Sequence, residues 1–426
     1  MNANDDATLE QDGENAAQAA RWETPFYQMP AAGWNAVDAD AITLLTALAA
    51  DLTATVRSFP SPLAPAGQHA PVADDDGTPL APAALALRLG EAAGQVFGAI
   101  TRDEADLRQI IASDEYDAVH LVTPIPLHAA QTVAVLESGK HCACTVPMAT
   151  SIEDLRAIVG AKRAAKKHYM MMETAVYTRE FLYVKELVGQ GTIGEINFLR
   201  GAHYQDMENW PPYWMGLPPM HYATHAVSPL LALMGTRAAK VHCFGSGRLG
   251  EDMRRAYNNP YPVETAIFHL EGTDVAAEVT RSLFQTARAY TESFNVYGEQ
   301  ATFEWQQVED EDPILFRMGA RQPGRGRPIA SSRVVAPDRH DLLPAEIAPF
   351  TRRGVYDDAH THRSFVQGGG HGGSHPHLVH EFVMSIVEDR DPAVDAVTAA
   401  QWTAVGICAH ESAMKGGETV LVPTFT

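Results

Sequence analysis

The stretch Asp117-Ala-Val-His-Leu-Val-Thr-Pro124, continued by Ile-Pro-Leu-His128, decides how the rest of this chain is read. It is an apolar run of strand length, and it ends at a proline, which cannot donate to a ladder. Such a run suits a strand covered on both faces in a parallel sheet. Residues 128–137 then read as a helix, Gly139 as its terminator and 141–145 as the next strand. Strands alternating with helices at this spacing predict a doubly wound α/β sheet whose ligands sit outside the carboxyl ends of the strands.

Working outward, helical spacing or composition predicts helices over 38–56, 82–88 and 102–111, with a Pro-rich loop after the first. Residues 1–22 predict an acidic, disordered extension. Beyond about residue 195 the texture changes. Strand-like runs at 196–204, 239–244, 266–270, 275–283, 293–297 and 301–307, with a turn at Gly298-Glu299, predict a second, α+β domain with an open, mostly antiparallel sheet. The polar, Pro/Arg-rich stretch 308–350 reads as a long surface excursion. The expected division is 1–22 extension, 23–175 a Rossmann-like doubly wound domain, and 176–426 the α+β domain.

Composition removes several functions. The 426 residues are 46% hydrophobic, without a run long enough to span a bilayer. A net charge of −21 disfavours nucleic acid and anionic membranes as partners. The acidic, base-free start is unlike a secretory signal, so a cytoplasmic location is expected. Four scattered cysteines suggest buried thiols, not a disulfide framework.

The 117–128 run, Leu136-Glu-Ser-Gly-Lys-His141, Pro147, Arg179, Gly191-Thr-Ile-Gly194 and His225 ahead of Leu-Met-Gly235 together resemble the glucose-fructose oxidoreductase / inositol dehydrogenase / MocA (Gfo/Idh/MocA) family. The resemblance implies an NAD or NADP cofactor, a sugar-like small-molecule substrate and a homo-oligomer formed through the second sheet. It places Thr123, Pro124, His128, Thr145 and Pro147 beside the nicotinamide.

Two departures stand out. A dinucleotide fingerprint needs glycines for backbone approach to the pyrophosphate. The candidate loop, Gly33-Trp-Asn-Ala-Val-Asp38, keeps one of three, with Asp74 the candidate acid for the adenosine ribose. The family's Glu-Lys-Pro also appears as Thr145-Val-Pro147, so Val146 stands where a lysine would assist hydride transfer.

His225 is the candidate general acid/base, because an imidazole titrates near neutral pH. His221, four residues earlier and so on the same face of a predicted helix, and Tyr222 are its assistants. As a helix-surface residue, His225→Ala is expected to abolish turnover with little loss of stability. Arg179, Asp206, Trp210 and Trp214 are substrate candidates, the tryptophans because aromatic faces cover sugar C–H surfaces. His371 and His375 lie in a run, 367–381, that is rich in glycine and histidine. It reads as a sugar-contacting loop or a plain flexible one, with no metal expected, and it resembles the loop of the family's NAD-dependent glycosidase branch. Three functions compete: a nicotinamide-dependent oxidoreductase acting on a sugar, glycoside or cyclitol; a redox-assisted glycosidase; and a non-catalytic homologue that binds a sugar or a partner.

Overall fold

A computed structural model describes residues 104–114, 116–208, 210–254, 257–308, 311–352, 354–355, 365–366 and 371–425. The extension at 1–22, the helices expected at 38–56 and 82–88, Gly33, Asp74 and residues 367–370 of the glycine-rich run lie outside the described residues.

Helix α1 (Glu104–Ala112) leads into β1 (Ala118–Leu121), α2 (His128–Glu137), β2 (His141–Cys144), α3 (Ile152–Ala165) and β3 (Tyr169–Met171). The three strands form a parallel sheet in the order β1-β2-β3, with Ala118 beside His141 and Cys142 beside Tyr169. All of β2 and β3 is buried, which explains why neither shows alternation. Among the described strands β1 lies at the edge of this sheet. Helix α3 starts where Ser151 Oγ accepts from Asp154 N at 3.1 Å, a cap worth about 1 kcal/mol.

After α4 (Arg179–Gly189) comes the large sheet: β4 (Ile196–Tyr204), β5 (Ala238–Ser246), β6 (Val263–Leu270), β7 (Ala276–Ser282), β8 (Thr291–Gly298), β9 (Ala301–Glu304), β10 (Ile314–Met318) and β11 (Ile329–Arg333). Helix α5 (Thr224–Met234) precedes β5, and the single turn α6 (Glu251–Arg254) precedes β6. A short ribbon of β12 (Gly354–Val355) and β13 (Phe365–Val366), helices α7 (Ser374–Val387) and α8 (Ala396–Met414), and β14 (Val420–Leu421) complete the chain.

The order is β11-β10-β9-β8-β4-β7-β6-β5-β14, with only the central β4–β7 pair parallel. Alternate residues bury one face: Ala266, Phe268 and Leu270 of β6, Phe294 and Val296 of β8. Helices α5 and α8 cover that face. A Cβ at Gly201 would stand 2.3 Å from the Ala226 carbonyl oxygen, so only glycine in β4 lets α5 lie this close.

The 308–350 stretch departs from expectation. Instead of a simple excursion, β10 and β11 extend the sheet as a hairpin on β9. Every residue of β11 is exposed, so neither face imposes an apolar phase that a pattern could reveal. Helix α8 bridges the two sheets, packing on β5 and also on α3 and β3. Met171 N donates to the Val394 carbonyl at 3.1 Å, and Arg163 Nη2 to the Phe425 carbonyl at 2.7 Å. Among the described residues no helix is long and apolar enough to cross a membrane.

Candidate active site

A cavity of about 490 Å³ lies where the carboxyl ends of β1 and β2 meet α5 and β8. One wall comes from the small sheet: Thr123, Pro124, His128, Thr145 and Val146. His128 is buried, with Nδ1 2.8 Å from the Pro147 carbonyl and Nε2 2.8 Å from the Thr123 carbonyl. Carbonyl oxygens only accept, so the doubly protonated ring satisfies both. Burial opposes that charge, but Cys144 and the two carbonyls raise His128 to about 9. Pro147 is buried behind this wall and contributes its carbonyl. Thr123 Oγ1 donates to Gln131 Oε1 at 2.6 Å. Val146 presents no polar group where the resemblance placed a lysine.

The opposite wall is built from buried charges. His225 Nδ1 donates to Glu173 Oε1 at 2.6 Å, and its Nε2 lies 3.7 Å from Glu292 Oε1. Burial works against the imidazolium, yet Glu173 and Glu292 outweigh it and raise His225 to about 9. Burial pushes the Glu292 carboxyl up, against the pull of His225 and the Tyr290 hydroxyl that donates to it. Arg281, fully buried, donates to the carbonyls of Tyr222 and His203 at 2.9 and 3.2 Å and to Gln205 Oε1 at 2.8 Å. Its guanidinium stacks over the Tyr222 ring at 5.3 Å. His203, buried between them, is held well below its ordinary range by burial and then by Arg281. Two carboxylates therefore balance an imidazolium and a guanidinium.

Among the remaining candidates, Tyr222, Trp210, Trp214, His371 and His375 line the cavity. Three others do not. His221 lies in a 3-10 turn, Pro219–Tyr222, ahead of α5, so the four-residue rule of an α-helix does not apply. Its ring packs edge-on against His410 at 5.0 Å. Asp206 is exposed and accepts from Glu208 N at 3.0 Å. Arg179 donates to the carbonyls of Gly372 and Thr351 at 3.3 and 3.2 Å, so it anchors the glycine-rich loop. The rings of His371 and His375 lie 4.9 Å apart, and burial holds both below the ordinary histidine range. Among the described residues no cluster of His, Cys, Asp or Glu is arranged to hold a metal.

Glu173, Glu292, Tyr290 and Arg281 were not singled out from sequence. A signal existed for two of them. Arg281 shares its phase with Ala277 and Val279, and Glu292 with Phe294 and Val296, so each is a charge in the buried phase of its strand.

Residues 81–173 match the family described as "Oxidoreductase family, NAD-binding Rossmann fold", and residues 181–304 match the "GFO/IDH/MocA C-terminal domain". A "Glycosyl hydrolase family 109 protein 1" of Bacteroides thetaiotaomicron is 22% identical over 347 residues, covering 76% of this chain and 72% of the relative. A Shewanella glycosyl hydrolase family 109 protein is 31% identical over 146 residues, 32% of each chain. In fold, the chain resembles levoglucosan dehydrogenase solved with NADH and levoglucosan, at TM-score 0.61 and 19% identity, covering 90% of this chain and 96% of that one. An inositol dehydrogenase homologue from Azotobacter vinelandii, solved with NADH and myo-inositol, aligns at TM-score 0.55 and 16% identity over 74% of this chain and 81% of that one. With both halves of the family matched in order across a parallel sheet and an open sheet, the chain belongs to the Gfo/Idh/MocA family of NAD-binding oxidoreductases.

Proposed function

We propose that the protein transfers hydride between a nicotinamide cofactor and a carbinol carbon of a sugar-like substrate, with His225 moving the hydroxyl proton. The observation that carries this reading is His225, fixed between Glu173 at 2.6 Å and Glu292 at 3.7 Å, on the cavity that the ends of β1 and β2 also wall. The sugar and cyclitol ligands named for levoglucosan dehydrogenase and the inositol dehydrogenase homologue support the substrate class.

A bound nicotinamide would supply the hydride donor or acceptor. Thr123, Pro124 and Thr145 would hold its ring. The fit is supported by Thr174 Oγ1, a buried hydroxyl on the cavity without a hydrogen-bond partner, and by the apolar Val146 surface. We assign Gly33 and Asp74 to the pyrophosphate and adenosine end.

Nδ1 of His225 is engaged by Glu173, which leaves Nε2 to meet the substrate oxygen. Because the imidazolium persists up to about 9, His225 is set to donate a proton to a carbonyl or leaving oxygen. It accepts one from a hydroxyl only as the pH approaches that value. The same poise favours a second reading, the redox-assisted glycosidase, which the names of the curated relatives also support. Exposed Phe244, Ile267 and Leu421 on the outer face of β5, β6 and β14 support a homo-oligomer formed through this sheet.

The test is the ultraviolet spectrum and mass of nucleotide released on denaturation, followed by turnover of sugars and aryl glycosides with and without added NAD. Oxidation in step with added cofactor supports the dehydrogenase. Many turnovers of a glycoside on retained cofactor support the glycosidase. A protein that binds no nicotinamide nucleotide sinks both.

A further inference from the structure

We infer that the cavity takes an uncharged, two-part substrate: a glycoside whose sugar ring meets His225 and whose second moiety is apolar or aromatic and lies along the Tyr222–Trp214–Trp210 wall. This rests on the reading in which His225 handles the substrate proton.

The wall is a ladder of edge-on rings. Tyr222 meets His225 at 5.5 Å and 86°, Trp214 meets Tyr222 at 4.9 Å and 87°, and Trp210 meets Trp214 at 5.8 Å and 81°. Pro211, exposed to solvent, continues the lining at the rim. Met207 and Ile125 pack with these rings as one apolar cluster. A single pyranose beside His225 would cover Tyr222 and leave Trp210, which is partly exposed above the buried Trp214, facing water with Pro211. An apolar second moiety covers them, and burying aromatic surface is where such a pocket gains affinity.

The charge of the lining points the same way. Among the described residues no lysine or arginine lines the cavity. The nearest guanidinium, Arg281, is buried and spends its donors on Tyr222, His203, Ser282 and Gln205. Recognition of a phosphate or carboxylate draws on Arg, Lys or clustered backbone N–H groups. The two imidazoliums of the lining are already engaged, His128 by the Pro147 and Thr123 carbonyls and His225 between Glu173 and Glu292. An anion would otherwise meet the carboxylate of Glu292 and histidines kept uncharged by burial: His120 at about 4, His375 at about 4, and His371 well below its ordinary range. Those neutral rings, with Gln205 and Tyr290, suit the hydroxyls of a neutral sugar.

The experiment uses the full chain saturated with NADH and measures binding by titration calorimetry. The probes are 4-nitrophenyl glycosides of the gluco, galacto, manno and N-acetylhexosamine series, each with its free sugar and sugar 6-phosphate. The best aryl glycoside should bind at least about tenfold more tightly than its free sugar, a difference of roughly 1.4 kcal/mol. No 6-phosphate should saturate the protein. Trp210→Ala should bring the glycoside down to the affinity of the free sugar. Equal binding of glycosides and free sugars, or a preference that survives Trp210→Ala, overturns the two-part substrate. Tighter binding of a 6-phosphate overturns the uncharged one. If NADH binds and no sugar of any class does, the inference and the sugar reading of the site fall together. Binding of free sugars as tight as that of their glycosides leaves the site reading standing and removes this inference alone.

Discussion

The two walls of the cavity are made differently. The side we assign to the cofactor rests mainly on backbone: strand ends in a parallel sheet, with His128 tied to two carbonyls. The side we assign to proton transfer is made by side-chain charges removed from water, Glu173, His225, Glu292 and Arg281. Backbone walls survive the loss of one side chain, because the ladder that shapes them remains. Charge walls do not, since each member is buried at a desolvation cost that only its partners offset.

His225 offers the sharpest way to break this contrast. His225→Gln should lower turnover roughly 10²- to 10⁴-fold, the usual contribution of a positioned acid/base. It should also lower the thermal midpoint, because stripping one partner from a buried ion pair costs about 3–5 kcal/mol. The expectation of unchanged stability belonged to an exposed helix residue, and His225 is only 5% exposed. A variant that keeps more than about a third of wild-type rate would take His225 out of the mechanism.

Steric rather than electrostatic damage comes next. Gly201→Ala presses a methyl against the Ala226 carbonyl, and overpacking of this kind costs about 1–3 kcal/mol, read by chemical denaturation. An unchanged midpoint would mean that α5 can lift from β4 freely.

Glu173→Gln probes the charge wall through pH. In the wild type the proton-accepting form of His225 grows only as pH rises through about 9, so alcohol oxidation should climb across that window while carbonyl reduction declines. The ion pair's stabilisation runs with the same sign. It is full below about 6.5, where the unfolded ring is also protonated, and disappears as pH passes about 9. Without the Glu173 carboxylate both limbs should move toward lower pH, with a rate loss of about tenfold. Profiles that coincide would detach Glu173 from the imidazole.

The smallest effect is expected on the backbone wall. Thr145→Val should weaken NADH binding by less than about tenfold, the range of one neutral hydrogen bond, as read by fluorescence titration. A larger loss would show that this wall, too, depends on single side chains.

Much of the same contrast decides what could be read from sequence. The backbone wall was legible, because a buried parallel strand ending in Thr123-Pro124 and helix α2 leave local patterns. The charge wall was legible only at His225. Its partners sit 52 and 67 residues away along the chain, the one after a methionine run and the other in a strand whose alternation resembles any half-buried strand. Local periodicity carries no information about which distant elements meet. His221 misled for a related reason: the spacing assumed an α-helix where Pro218 and Pro219 impose a tighter turn. The β10–β11 hairpin was missed because solvent covers both faces of β11, which removes the selection that writes a pattern.

Helix α8, Val394 and Phe425 tie the two sheets at points scattered along the sequence. A clam-like opening would have to unfasten Met171 from Val394, Arg163 from the Phe425 carbonyl and α8 from β3 and β5 together. The body is laced rather than hinged. Among the described residues the open part of the cavity lining is Val122, Trp210 and Pro211, and exchange of substrate for product should follow the rhythm of that rim, not of the whole molecule.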